Sequence, residues 1–194
     1  MSSICVYCGS SPGSDPAFLR AAREIGVLAA QRGHAVVYGG GNVGLMGAVA
    51  DAALAAGGRV VGVIPDHMVR KELAHKGLTT LHVVDTMHER KALMASLADG
   101  FLALPGGIGT LEEIIEVFVW MQLGLHAKPC AFLNINGYYD PLVSFLTRMT
   151  DARFLRAEQL SQLIVAREPA EAVDRLLSST PTVVEKWMDR KKAG

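Results

Sequence analysis

Twice in this sequence a short apolar run breaks into clustered glycines and then takes up a helical period. At the first junction, residues 35–38 lead into Gly39-Gly40-Gly41-Asn42-Val43-Gly44-Leu45-Met46-Gly47. At the second, residues 101–104 lead into Pro105-Gly106-Gly107-Ile108-Gly109-Thr110. A helix start carries unpaired N–H groups and the positive end of the helix dipole. Glycine lets a ligand approach that backbone closely. A strand passing through glycine into a helix is therefore an anion site, best suited to phosphate. A chain with such junctions is confined to folds in which parallel strands alternate with helices.

The remaining pattern agrees. Apolar runs at 4–8, 60–64, 81–84, 129–133 and 164–166 read as further strands. Between them lie helical stretches, the first keeping Phe18, Ala22, Ile25 and Ala29 on one side. Asp15 is placed to cap that helix, with Pro16 at its first position and Gly33 at its end. Helices are also expected at 48–56, 86–98, 111–123, 139–150 and 169–177. The predicted fold is α/β, a Rossmann-like, doubly wound parallel sheet with helices on both faces. No linker or repeat divides the chain, so one nucleotide-binding domain is expected over 1–180, with a tail at 181–194. Both glycine loops would lie at carboxyl ends of strands, where such sheets bind ligands. The hydroxyl-rich loop 9–14 is a turn or a contact to phosphate or sugar, and the polar stretch 66–77 reads as a long surface loop able to carry binding groups.

Thr110 and Glu113 have the spacing of a capping box, as do Thr86 and Glu89. A cap at Thr110 makes no use of Gly106, Gly107 and Gly109, so the glycines argue for a ligand. Arg90 and Lys91 fall in the first turns of the helix at 86–98, where the dipole disfavours cations by up to about 1 kcal/mol each. A local rule broken without compensation points to function. Glu113, near a helix N-terminus, is expected to stay ionised and to serve as a base. Gly39, Gly41 and Gly44 satisfy G-x-G-x-x-G, with Asp66 as a possible ribose partner. That motif follows the second strand, not the first, which leaves tight glycine packing as the alternative. Cys5 and Cys8 form C-x-x-C, but residues three apart in a strand face opposite ways, so reduced structural thiols are expected. The histidines show no metal-binding spacing, and no metal or cofactor is expected.

Composition narrows the function. The 194 residues carry 19 basic and 19 acidic side chains, a balance that argues against nucleic-acid binding. No apolar stretch approaches a membrane span and no basic leader opens the chain, so a cytoplasmic protein is expected. The helix at 111–123 is apolar nearly all round beyond Glu116, and Trp120 and Met121 have no obvious cover within the chain. A homodimer is expected on that account.

The stretch Pro105-Gly106-Gly107-Ile108-Gly109-Thr110-Leu111-Glu112-Glu113 resembles the PGGxGTxxE signature of the LONELY GUY (LOG) family. Met87-His88-Glu89-Arg90-Lys91 resembles that family's Arg-Lys motif, and the glycines at 39–47 fit as well. The resemblance runs from Ile4 to about Leu177. It implies cleavage of the N-glycosidic bond of cytokinin riboside 5′-monophosphates, giving the N6-substituted adenine and ribose 5-phosphate; related members cleave AMP. It implies a dimer. The chemistry of such a cleavage makes Glu113 and Arg90 the catalytic candidates, Glu113 as the base that activates water and Arg90 as a cation that either neutralises an anion or helps the leaving base depart. The family's ligand contacts fall on Glu72, Arg90, Lys91, Gly107, Ile108, Gly109, Thr110, Leu111, Glu112 and Glu113; the glycine-loop reading adds Gly106 as part of the phosphate site and Gly39, Gly40 and Gly41 as further substrate contacts. Many relatives carry a lysine decarboxylase label, for which this sequence offers no pyridoxal-phosphate lysine motif. Two other readings stand open: a nicotinamide-dependent oxidoreductase using Gly39–Gly44, with little chain left for a substrate domain, and a non-catalytic nucleotide or cofactor carrier.

Overall fold

The computed structural model describes residues 2–69 and 73–182. The strands are β1 (Ser3–Tyr7), β2 (Ala35–Tyr38), β3 (Val60–Pro65), β4 (Thr80–Val84), β5 (Gly100–Ala103), β6 (Cys130–Leu133) and β7 (Leu163–Ala166). The helices are α1 (Pro16–Gln31), α2 (Gly44–Ala55), α3 (Asp66–Val69), α4 (Met87–Leu97), α5 (Ile108–Gln122), α6 (Asp140–Asp151), α7 (Ala157–Leu160) and α8 (Pro169–Ser178). Among the described residues the strands form one seven-stranded sheet, ordered β4-β3-β2-β1-β5-β6-β7. Every pairing is parallel, with Ile4 beside Val36 on one side and beside Gly100 on the other.

Successive residues of the strands feed opposite layers, as the pleat requires. Ile4, Val6, Val36, Tyr38, Leu102 and Leu104 pack against α1, α2 and α8 through Ile25, Val49 and Leu176. Cys5, Tyr7, Val37, Phe101 and Phe132 pack against α4, α5 and α6 through Met94, Ile114, Phe118 and Leu146. This is the doubly wound α/β fold the sequence predicts. Strands buried on both faces read as continuous apolar runs, which is why they were visible.

The local signals held where they were strong. Asp15 accepts from the Ala17 N–H at 2.8 Å, Pro16 opens α1, and Gly33, at φ +74°, follows its end. Thr86 and Glu89 close the expected capping box on α4. The second box does not form. The N-cap of α5 is Gly107 and the helix starts at Ile108, one turn earlier than expected. Thr110 is thus inside the helix and caps nothing. Within the loop expected at 66–77, α3 supplies one turn, and Ala74 bridges to Gly41. Glu72 lies outside the described residues, as does the tail from 183.

The sheet has one topological switch point. From β1 the chain winds outward through β2, β3 and β4, then crosses to β5 and winds the other way. The loops after β1 and β5 part there and leave a crevice above the carboxyl ends of the strands.

Candidate active site

A cleft of about 460 Å³ occupies that crevice. One wall is the start of α5, with Gly107, Gly109, Thr110, Glu112 and Glu113. The opposite side carries Arg90 of α4 and the first glycine loop through Gly39 and Gly41. The floor is β1 and its loop, Tyr7 to Ser10. Met46, Met68, Met87 and Met94 give the remaining wall an apolar, deformable surface.

The α5 end is built as an anion cradle. No side chain caps the helix, so its first N–H groups have no intrahelical partner. The carbonyls leading into it are all engaged elsewhere. Tyr139 Oη donates to Leu104 O at 2.6 Å, Gly9 N–H to Pro105 O at 3.1 Å, and Tyr138 Oη to Gly106 O at 2.6 Å. Gly107 O accepts from Leu111 N–H at 3.1 Å. Acceptors are tied back, and donors are left at the positive end of a helix dipole.

Arg90 is buried, and its position is set by backbone. Its Nε donates to Val63 O and its Nη2 to Gly39 O, both at 3.1 Å, while Nη1 lies 3.7 Å from Met87 Sδ. The guanidinium therefore spans the carboxyl ends of β2 and β3. This gives Gly39 a role of its own: a Cβ there would lie 1.8 Å from Nη2 of Arg90. Gly44, at φ +59°, similarly backs onto Ser10 with no room for a side chain. The glycines of the G-x-G-x-x-G stretch thus seat Arg90 and bring α2 against the β1 loop. Asp66, the candidate ribose partner, does not line the cleft.

Lys91 does not line the cleft either. Its ammonium is held by Glu112 and, at 3.1 Å, by Glu116, which together keep it charged above the ordinary lysine range. The other expected contacts divide. Gly40 packs on Ile64 and Leu81, Leu111 joins the α4–α6 core, and Ile108 is 81 % exposed. Gly106 faces a neighbouring cavity of about 290 Å³ with Phe18 and Tyr138.

Glu113 differs from expectation in its charge. It sits one turn further into α5 than the sequence suggested, half-buried in the cleft with Tyr7 and Cys8. Burial raises its carboxyl to about 7; Arg90 pulls it back down and Glu112 pushes it up. Desolvation outweighs the helix dipole. Both protonation states are then accessible near neutrality, which suits a group that takes up a proton and returns it. Cys5 and Cys8 are free, buried and on opposite sides of the sheet, and burial pushes both thiols far up. Their burial and opposed facing suit neither a thiolate nucleophile nor a redox pair.

The sequence reading missed the tyrosine pair, and of the four cleft methionines it quoted only Met46 and Met87, inside the motifs that carry the resemblance. Met68 and Met94 had no signal beyond composition. The tyrosines follow Asn136-Gly137, whose φ angles of +51° and +75° mark a tight turn, but nothing local says what their hydroxyls reach.

Residues 46–176 match the protein family described as "Possible lysine decarboxylase". Over 177 residues, 91 % of this chain and 89 % of the other, the sequence is 48 % identical to the cytokinin riboside 5′-monophosphate phosphoribohydrolase of Rhodococcoides fascians. It is 44 % identical over 178 residues, 92 % of this chain and 74 % of the other, to the cytokinin riboside 5′-monophosphate phosphoribohydrolase LOG of Oryza sativa subsp. japonica. Among solved structures, the molybdenum cofactor binding protein of Rippkaea orientalis superposes with a TM-score of 0.69 over 91 % of this chain and 96 % of that one. At 22 % identity that likeness shows the shared fold.

Proposed function

The chain belongs to the LONELY GUY (LOG) family of cytokinin riboside 5′-monophosphate phosphoribohydrolases, and we propose on that premise how its cleft does the family's chemistry. The enzyme is an N-glycosyl hydrolase. It cleaves N6-substituted adenosine 5′-monophosphates to the free base and ribose 5-phosphate. The single observation that carries this reading is Glu113, a half-buried carboxyl raised to about 7 in a cleft walled by an uncapped helix start.

The 5′-phosphate accepts from the backbone of Gly107, Ile108, Gly109 and Thr110. The ribose then lies over Glu113. Breaking the ribosyl–nitrogen bond sends its electron pair to the base and builds positive charge on the sugar, as in other glycoside hydrolyses. The Glu113 carboxylate faces that charge, takes a proton from the attacking water, and passes it to the departing base. Arg90, fixed by Val63 and Gly39 carbonyls, supplies a positive charge on the opposite side. The methionine wall takes the base and its N6 substituent. The decarboxylase description gains no support from this cleft: no described residue lining it is a lysine, and the ammonium of Lys91 is held by two carboxylates.

The chain is also proposed to pair as a homodimer. Trp120 and Met121, expected to lack cover, do not form the interface: Met121 is buried within the chain and Trp120 packs against the α4–α6 core. The uncovered apolar residues at that end are Val119, Leu123 and Leu125. No helix among the described residues is long and apolar enough to cross a membrane, and three free buried cysteines suit a reducing, cytoplasmic setting.

The test is incubation with AMP, its N6-isopentenyl analogue, and both nucleosides, with chromatography for free base. Both nucleotides should release base. The nucleosides should be poorer by roughly 10⁴, because losing the phosphate leaves its donors unpaired. Equal rates on nucleotide and nucleoside, or no base from any, would reject the reading.

A further inference from the structure

The anion cradle has a weak point, and one residue outside the cleft guards it. The peptide joining Gly106 to Gly107 has glycine on both sides, so it is among the easiest in the chain to rotate. Rotation would turn the Gly106 carbonyl toward the bound anion and the Gly107 N–H away from it. A trans peptide keeps its C=O and N–H antiparallel. With Gly106 O held at 2.6 Å by the Tyr138 hydroxyl, the Gly107 N–H points to the other side of the loop, where Gly107 lines the cleft.

Tyr138 is itself held. Its ring meets Phe18 and Tyr139 edge-on at 5.4 and 5.0 Å. Tyr139 is buried and donates its hydroxyl to Leu104 O. Behind both stands Asn134, 1 % exposed. Its Oδ1 accepts from Tyr139 N–H at 2.7 Å and its Nδ2 donates to Asp140 at 2.6 Å. The turn from Asn134 to Asp140 is thus a rigid mount, and the mounted group is a hydroxyl aimed at the loop. A ring placed only for packing has no need of that hydroxyl.

We propose that Tyr138 is a positioning residue for phosphate recognition: its hydroxyl locks the Gly106–Gly107 peptide with the N–H toward the substrate's phosphate. This rests on the phosphate-loop reading above. Tyr138 touches no reacting atom and acts through the loop alone.

The test is Tyr138→Phe in the full chain, which keeps the ring and its edge contacts. Two quantities are measured: inhibition by ribose 5-phosphate, and the separate KM and kcat for AMP. The expected result is a Ki for ribose 5-phosphate and a KM for AMP both raised by about 3- to 10-fold, the effect of one lost hydrogen bond. At saturation kcat should stay within about two-fold, because the bond-breaking groups are untouched. An unchanged Ki, or a kcat that falls as far as KM rises, would overturn the proposal. Failure of ribose 5-phosphate to inhibit the unmodified enzyme at any concentration is a different outcome. It would remove the phosphate loop itself, and the role of Tyr138 with it.

Discussion

Glu113 joins stability and activity in one carboxyl. Folding raises it from an ordinary 4.5 to about 7, chiefly by burial. Between those pH values the folded protein holds a proton that the unfolded chain releases. Stability therefore falls as pH rises through that window, by linkage on the order of 1–3 kcal/mol. Glu113→Gln keeps the shape and removes the ionisation. We predict that it melts several degrees higher than the parent at pH 8, by roughly 3–10 °C, and that the gain vanishes near pH 4.5. The same variant should lose on the order of 100- to 10,000-fold in turnover. In the parent, kcat/KM should drop about ten-fold per unit below pH 7 as the carboxylate is protonated. A melting curve for Glu113→Gln that tracks the parent at both pH values would show that the carboxyl is not desolvated. The sequence singled out Glu113 but set it at the helix start and fully ionised; its surroundings depend on Tyr7 and Cys8, which lie about a hundred residues away in the chain.

At the scale of elements, α4 and the β2–α2 loop fit together through one contact. The Thr86–Glu89 box fixes where α4 begins, and Arg90 then reaches across to the carbonyls of Gly39 and Val63. Burial against backbone acceptors compensates for placing a cation near a helix start. The broken dipole rule thus has its compensation in elements far off in sequence, which hold Arg90 at the cleft. Adding one carbon tests the fit. In Gly39→Ala the new methyl collides with side-chain ends, Nη2 of Arg90 and Cε of Met46, and not with backbone. The fold can yield there, and the guanidinium must move. Activity should fall by roughly 10- to 150-fold, the effect of a lost charge-assisted contact. Adding Arg90→Ala to Gly39→Ala should lower it little further. Activity near the parent's in Gly39→Ala would mean that Arg90 is not needed where it stands. The same pairing of Thr and Glu that caps α4 fails to cap α5. The glycines before Thr110 let helical geometry begin earlier, so identical spacing gave two outcomes.

For the whole molecule, the parallel sheet and its two helical layers were legible, since buried strands leave apolar runs that glycine and polar stretches separate; the strand order was not, because no local signal says which strands pair. The assembly was less legible than the layers. An apolar helix can be covered by its own chain, and α5 largely is. The patch left at its end, Val119, Leu123 and Leu125, is 39, 48 and 69 % exposed. We predict that light scattering gives twice the chain mass at micromolar concentration and that Leu125→Glu shifts it toward one. A single chain mass for the unmodified protein would reject pairing through this patch.

The switch point has a consequence during synthesis. β1 leaves the ribosome first, yet one of its two neighbours, β5, is encoded about a hundred residues later. The nascent chain can pair β1 with β2, β3 and β4 as they emerge. Throughout that time the other edge of its central strand stays open, with unpaired backbone groups able to recruit a foreign strand. The loops that later form the cleft flank that same open edge, so the feature that creates the binding site also leaves the half-made chain exposed to aggregation.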